Sequence, residues 1–476
     1  MRIVRNAFYV ALMQASNVLI GLLVLPYVTS VLGSERLGIH SFGFAAAMYC
    51  STLGQLGIMA YGVRRVAKVR EHHATLQLAF SDCLAYQLTF GLAATLLYNL
   101  WALLQPDGCL GYYLLFNLTM LAGLTDLSWL YAGLERFGAV ALRTFAMRAM
   151  GLLLTFACVR SQRDLGLYIL VQQGTVLLSN LFFWLGLRRY QLRLLLSSWH
   201  DIRQRVLRES FGIFLPSLVA IIATSQDRLL LGYLANKQQV AFYDYPMRFA
   251  KIAIMAANVL GNVSLPRWAN LWNKPDRTQF LQAAQQVHYF GFITALFLAG
   301  GLVATANEVC HFLLGPSFPG AHTILRIACL PVALTGCGFY YIGLAMGREK
   351  ALLQGMGSTC LLSLLAYFYT IPRWGALGAV WAYVIPELAL QTYYLVRFRN
   401  IVDWPNFLRA ALIALLLCLA ALAAAACWTP CTPLNAFLLK CTTFAVVYGG
   451  GCILLLKPLR HYCLLRLKQL TTHSSR

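Results

Sequence analysis

An all-α integral membrane protein is the fold class this sequence predicts, and three observations predict it. About fourteen stretches are each long enough to span a bilayer, which takes ~20 apolar residues at 1.5 Å rise. Positive charge gathers in every second connection between them and nearly vanishes from the others. The composition is 59% hydrophobic and only 11% charged, so the net charge of +22 sits on a chain built for lipid rather than water.

The spans read as 8–32, 39–61, 78–103, 110–133, 139–160, 165–187, 211–234, 247–272, 288–314, 323–346, 350–370, 375–396, 406–427 and 434–456. Basic clusters sit at Arg2 and Arg5, at Arg64, Arg65, Lys68 and Arg70, and at Arg136 and Arg143. Others lie in 188–208, 267–277, 348–350, 397–409 and 457–476. Lys and Arg stay on the cytoplasmic side, so both termini are expected there. On that rule about 27 of the basic residues fall in cytoplasmic connections and about 5 outside. The remainder (Arg148, Arg228, Arg248, Lys251, Arg326 and Lys440) lie inside predicted helices. The excess of positive charge is therefore a topology signal with some attraction for anionic lipid heads, and a nucleic-acid partner is not expected.

Connections are short, and a segment needs at least ~50 residues to fold as a domain. No extramembrane domain is expected, which argues against an enzyme that holds a glycan acceptor in an outer loop. The 14 cysteines include no C-x-x-C pair, and most lie within apolar runs, where free cysteine behaves as a small hydrophobe. Cys427 and Cys431, near an outer loop, are the one candidate bridge. No cleavable leader is expected, because the first apolar run exceeds a signal h-region and lacks a small-residue cleavage pattern.

The chain also reads as bipartite. A six-helix N-terminal lobe (1–187), a basic linker (188–210), a six-helix C-terminal lobe (211–396) and two further helices with a basic tail (397–476) form the simplest parsing. Val31-Leu32-Gly33 leading into Leu37-Gly38-Ile39 has a weak echo in Leu231-Gly232-Tyr233 leading into Val240-Ala241-Phe242. An even number of spans per lobe makes the lobes parallel repeats, with substrate handled between them.

A charge at the bilayer centre costs ~2.5–3.5 kcal/mol, so each one needs a partner or a wet cavity. Asp244, Arg248, Lys251, Met255, Asn258 and Asn262 recur at spacings of three and four, which puts them on one helix face. Two cations followed by amides describe the wall of a hydrated groove, although cations at a helix end also snorkel to headgroups. Asp227 and Arg228 sit above a kink expected at Pro216; adjacent residues point ~100° apart, so each needs a partner elsewhere. Gln14, Asn17 and Gly21 share a face near Pro26, and Tyr383, Glu387 and Gln391 share another beside Pro386. Asp126 and Arg148 make a second plausible ion pair, with Asp126 as a protonatable coupling site the other reading.

Several segments resemble a known family. The N-terminal pattern is Asn6-x-x-Tyr9, Pro26-Tyr27, Val31-Leu32-Gly33, Leu37-Gly38-Ile39, Leu56-Gly57-Ile58 and Tyr61-Gly62-x-Arg64. A second runs from Asp126-Leu127-Ser128-Trp129-Leu130-Tyr131 through Gly133, Glu135 and Phe137 to Arg143, and a third comprises Pro216, Asp227-Arg228, Leu231-Gly232, Tyr243-Asp244 and Leu265-Pro266-Arg267. Together they are similar to bacterial polysaccharide flippases of the multidrug/oligosaccharidyl-lipid/polysaccharide exporter superfamily. Beyond residue 270 the likeness rests on hydropathy and on Gly375-Ala376-Leu377-Gly378-Ala379.

The resemblance implies a flippase in the bacterial inner membrane that moves undecaprenyl-diphosphate-linked oligosaccharide to the outer leaflet for O-antigen, capsule or exopolysaccharide. It implies alternating access around a cationic cavity, no catalytic residue, no cofactor beyond a proton or sodium gradient, and partners among other polysaccharide-assembly membrane proteins. Cations would hold the diphosphate and amides the sugar hydroxyls. The span from His40 to Tyr61 carries no Lys or Arg, so a cation of the first lobe has to come from Arg148 or the second lobe holds the diphosphate. Two alternatives stand beside it. A multidrug and toxin extrusion antiporter would use acids such as Asp126, Asp227 and Glu387, and a membrane-embedded glycan polymerase or ligase would need a large outer loop.

Overall fold

The computed structural model describes residues 2–55, 57–187, 190–192, 206, 226–428 and 432–456, with side chains described at all of these except 2–17, 137 and 139. Every regular element among them is helical, and 10 helices are long and apolar enough to cross a membrane. The spans expected at 8–32 and 39–61 run through one helix, α1 (Arg2–Gln55), into α2 (Ile58–Val69), with a break at Gly33. Its φ of 70° lies in the left-handed region that glycine enters without a Cβ clash.

The pair expected at 350–370 and 375–396 shares the run Glu349–Arg397, interrupted at Gly375 with φ 53°. Thr370 Oγ1 donates to the Gly378 carbonyl at 2.8 Å. A straight helix would hold residues eight apart at ~12 Å, so the chain doubles back at this glycine. The expected span 211–234 lies mostly outside the described residues, as do Pro216 and Cys431, whereas Cys427 is a free thiol.

The span expected at 110–133 differs most. It is three short helices, α4 (Leu110–Leu115), α5 (Asn117–Thr125) and α6 (Ser128–Gly133), packed near α3 (His73–Leu103). The chain is extended at Asp126, with ψ 112°, and this frees carbonyls that a continuous helix would satisfy. Lipid offers nothing in exchange, so protein must supply the donors. Gln87 of α3, 2% exposed, does so: its Nε2 donates to the carbonyls of Gly123 at 2.8 Å, Leu124 at 3.2 Å and Asp126 at 3.0 Å. Its Oε1 accepts from Trp129 Nε1 at 2.8 Å. The break is built in: Asn180 Nδ2 also donates to the Ala122 carbonyl at 2.8 Å and Trp184 Nε1 to the Thr125 carbonyl at 2.9 Å, with Gln87 serving the most groups.

The chain divides into two compact units, 1–241 and 242–476. The linker expected at 188–210 lies mostly outside the described residues. Residues 226–241, assigned from sequence to the second lobe, pack within the first unit. Tyr233 meets the Phe42 ring edge-on at 5.2 Å, Lys237 pairs with Asp107, and Gln238 Nε2 donates to Ser34 Oγ at 3.1 Å. A ring contact, an ion pair and a side-chain hydrogen bond tie this segment to the rest of the first unit.

Each unit has its own core. In the first, Tyr61, Phe80, Tyr86, Trp129 and Phe183 are buried together; in the second, Trp268, Phe280, Phe292, Tyr394, Phe407 and Phe444 are. The second unit also contains a buried ion pair, Lys440 Nζ to Glu308 Oε1 at 2.6 Å, with side chains 15% and 9% exposed. Removing one partner strands a charge, so Lys440→Met is expected to cost roughly 3–5 kcal/mol. The double variant Lys440→Met/Glu308→Leu should recover most of that loss. Thermal unfolding of the purified variants checks it, and equal midpoints for single and double variants would contradict the reading.

Candidate functional site

The first unit encloses a cavity of about 400 Å³ lined by four helices: α2, α6, α7 (Phe137–Cys158) and α8 (Leu165–Leu187). From α7 come Val140, Arg143, Thr144, Met147 and Arg148, residues three and four apart and therefore on one face. From α8 come Thr175, Val176, Ser179 and Asn180 at the same spacing, while Ser128 and Ala132 of α6 and Met59 of α2 complete the lining. Two guanidinium groups thus face hydroxyls, an amide and thioethers, and none of these lining residues is acidic.

The two arginines are held differently. Arg143 stacks on the Phe183 ring with its guanidinium carbon 3.2 Å from the centroid, and its buried Nε and Nη1 have no hydrogen-bond partner. Asp126 attracts it electrostatically. A cation stacked on an aromatic face in a dry site gains ~2 kcal/mol, which does not use its N–H groups. Arg148, one turn further along α7, is exposed to the cavity.

The Asp126–Arg148 pair expected from sequence is not formed. Asp126 Oδ1 instead accepts from the Ser128 amide at 2.8 Å and from the Ser128 hydroxyl at 2.5 Å, which starts α6 after the break. A carboxylate at this position satisfies the orphan donors of a new helix, as an N-cap side chain does. Beyond the spans, the ends of α2 and α6 are tied by Arg70 and Glu135 at 2.6 Å. The hydrogen bond and charge of Glu135 hold the Arg70 guanidinium above its ordinary pKa.

The other expected residues are placed as follows. Arg248 Nη2 donates to Asp244 Oδ2 at 2.8 Å and its guanidinium lies 4.2 Å over the Tyr245 ring, so it is partly neutralised by its own helix, α9 (Lys237–Ala257). Asp244 is buried, Lys251 and Asn258 are half-buried, and Met255 and Asn262 are exposed. Asn258 sits between α9 and α10 (Val259–Trp272), its carbonyl accepting from the Asn262 amide at 3.0 Å. Asp227 is buried, and its Oδ1 accepts from the Arg228 amide at 2.9 Å. Glu387 accepts from Gln391 Nε2 at 2.9 Å. The side chains of Gln14 and Asn17 lie outside the described residues.

From sequence Arg143 counts among the cytoplasmic charges and Ser128 only as part of a family-like segment, and Thr144, Thr175, Ser179 and Asn180 are not singled out. A signal existed in the three-four spacing of Arg143, Met147 and Arg148 on α7 and of Thr175, Ser179 and Asn180 on α8. Periodicity alone does not say which face meets a cavity and which meets a neighbour.

Comparison with known proteins gives three results. The family described as polysaccharide biosynthesis protein matches residues 3–272. Curated relatives named "Putative O-antigen transporter" align at 21% identity, one from Escherichia coli (strain K12) over 415 residues, 83% of this chain and 96% of the relative. The other, from Shigella dysenteriae, aligns over 395 residues, 82% and 98%. Among solved structures, the lipid II flippase MurJ in an inward closed conformation superposes with TM-score 0.72 at 14% identity, covering 95% of this chain and 99% of that one. An inward-facing multidrug resistance MATE family transporter gives 0.59 at 14% identity, covering 82% and 94%. At these identities the structural likeness is one of fold.

Proposed function

This chain belongs to the polysaccharide biosynthesis protein family, and on that footing we propose that it is a flippase for undecaprenyl-diphosphate-linked oligosaccharide repeat units. It carries them across the bacterial cytoplasmic membrane by alternating access, for O-antigen, capsule or exopolysaccharide assembly, and catalyses no bond making or breaking. The observation that carries this reading is the pairing of Arg143 and Arg148 on one wall of a cavity within a membrane-helix bundle. Guanidinium donors facing a cavity favour an anion, and a diphosphate accepts the fork geometry that arginine presents. Thr144 and Ser179 offer hydroxyls to neutral parts of the same headgroup, while Thr175 and Asn180, which donate to the Val171 and Ala122 carbonyls, offer acceptor oxygens.

A cation antiporter would need carboxylates facing substrate. The described lining of this cavity has none, and Asp126 is engaged by Ser128. The test is leaflet transfer in proteoliposomes containing a polyprenyl-diphosphate oligosaccharide, read by a membrane-impermeant sugar-labelling reagent. Transfer by the wild-type protein supports the reading; extrusion of a quaternary ammonium dye without glycolipid transfer would replace it with the antiporter.

Arg248 and Lys251 keep a place in the proposal as cations of the second unit. Alanine at both is expected to lower surface polysaccharide several-fold while the protein remains in the membrane at normal abundance. Wild-type polysaccharide in that variant would remove the pair from the mechanism.

A further inference from the structure

The second unit contains a cavity of a different chemical character. It measures about 280 Å³ and opens between the start of the helix Thr278–Ala304 and the start of the helix Trp404–Ala426. Gln282, Gln285 and Gln286 line one side, and Asp403 and Asn406 the other. Arg277 precedes the first of these helices and Arg397 and Arg399 precede the second, on the side that the charge rule assigns to the cytoplasm.

Each carboxamide presents a donor and an acceptor together, the complement of a sugar hydroxyl, which also does both. The described lining holds no Lys or Arg, and the Asp403 carboxylate, accepting from Asn406 Nδ2 at 2.8 Å, would repel a phosphate. Acyl chains would leave the amides unsatisfied at a cost. Tyr289 and Phe407 supply apolar ring faces beside the amides. Beneath them lies His288, 1% exposed, whose Nδ1 is 2.6 Å from the Cys337 carbonyl and so carries the proton. Its Nε2 is left as a buried acceptor without a partner. The volume is just below the ~300–1,000 Å³ of small-ligand sites and so suits one or two sugar rings rather than a whole repeat unit.

We propose that this cavity is a saccharide-binding site for uncharged sugar residues, formed by Gln282, Gln285, Gln286, Asp403 and Asn406. The proposal deepens, and rests on, the flippase reading, since it assigns the second unit a contact with the glycan. The probe is a set of free neutral di- and trisaccharides of hexose and N-acetylhexosamine, with saturation-transfer NMR on the full-length protein in lipid nanodiscs. Gln282 and Gln286 are exposed, so Gln282→Leu/Gln286→Leu should fold, with an unchanged unfolding midpoint. Losing two neutral hydrogen-bonding side chains should weaken binding about tenfold. Asn406→Leu, also exposed, is the second variant and should weaken it less.

No saturation transfer from any of the sugars to the wild-type protein overturns the site, as does transfer unaltered in both amide variants. Sugar binding that depends on these amides, in a protein that moves no glycolipid between leaflets, upholds the site and sinks the flippase reading alone.

Discussion

Alanine at both Arg143 and Arg148 is expected to abolish leaflet transfer while leaving Arg148→Ala as abundant as the wild-type protein. Each charge-assisted hydrogen bond to a diphosphate is worth roughly 1.5–3 kcal/mol, so losing two arginines should slow transfer by at least about a hundredfold. The singles should differ in kind. Arg148 is exposed to the cavity and meets no carboxylate among the described residues, so its removal should touch transport and not folding. Arg143 fills space against Phe183, so Arg143→Ala should also lower the unfolding temperature. Arg143→Lys should keep the charge but lose the flat stack and the fork, leaving transfer impaired. The measurements are glycolipid transfer in proteoliposomes and membrane abundance by immunoblot. Full transfer by the double variant would dismiss the cavity as the anion site.

The second large effect concerns folding. Gln87→Leu is expected to destabilise the first unit by roughly 3–5 kcal/mol, because one amide serves three freed carbonyls and the Trp129 indole where no water reaches. Trp129→Phe removes only the indole bond and keeps most of the ring, so it should cost about 1 kcal/mol for that bond and a little more for packing. Chemical denaturation in detergent separates the two. If Gln87→Leu unfolded no more easily than Trp129→Phe, the break at Asp126 would be held by something else. The expected loss reaches transport too, because α6 places Ser128 and Ala132 in the cavity wall.

The segments that resembled a family prove to be, in good part, the parts that hold this break. Asp126 and Ser128 start α6, Trp129 bonds Gln87, Gly62 lies against the Trp129 ring, and Gly133 lies against Val66. A segment that carries the family resemblance is here largely architecture. Arg143, its last member, and Ser128 also line the cavity.

What the sequence by itself determined is the membrane class, the helical path and most span positions, because hydropathy over ~20 residues and the bias of Lys and Arg are local properties. It also marked the glycines at 33 and 375, where the chain leaves helical geometry. Tertiary structure alone decided three things: the break within 110–133, the placement of 226–241 in the first unit, and the partner of each intramembrane charge. Gln87 lies 36 to 42 positions from the groups it satisfies, and Tyr233 stands 132 from Trp101. Periodicity places a side chain on a face of its own helix; what that face meets depends on residues far along the chain.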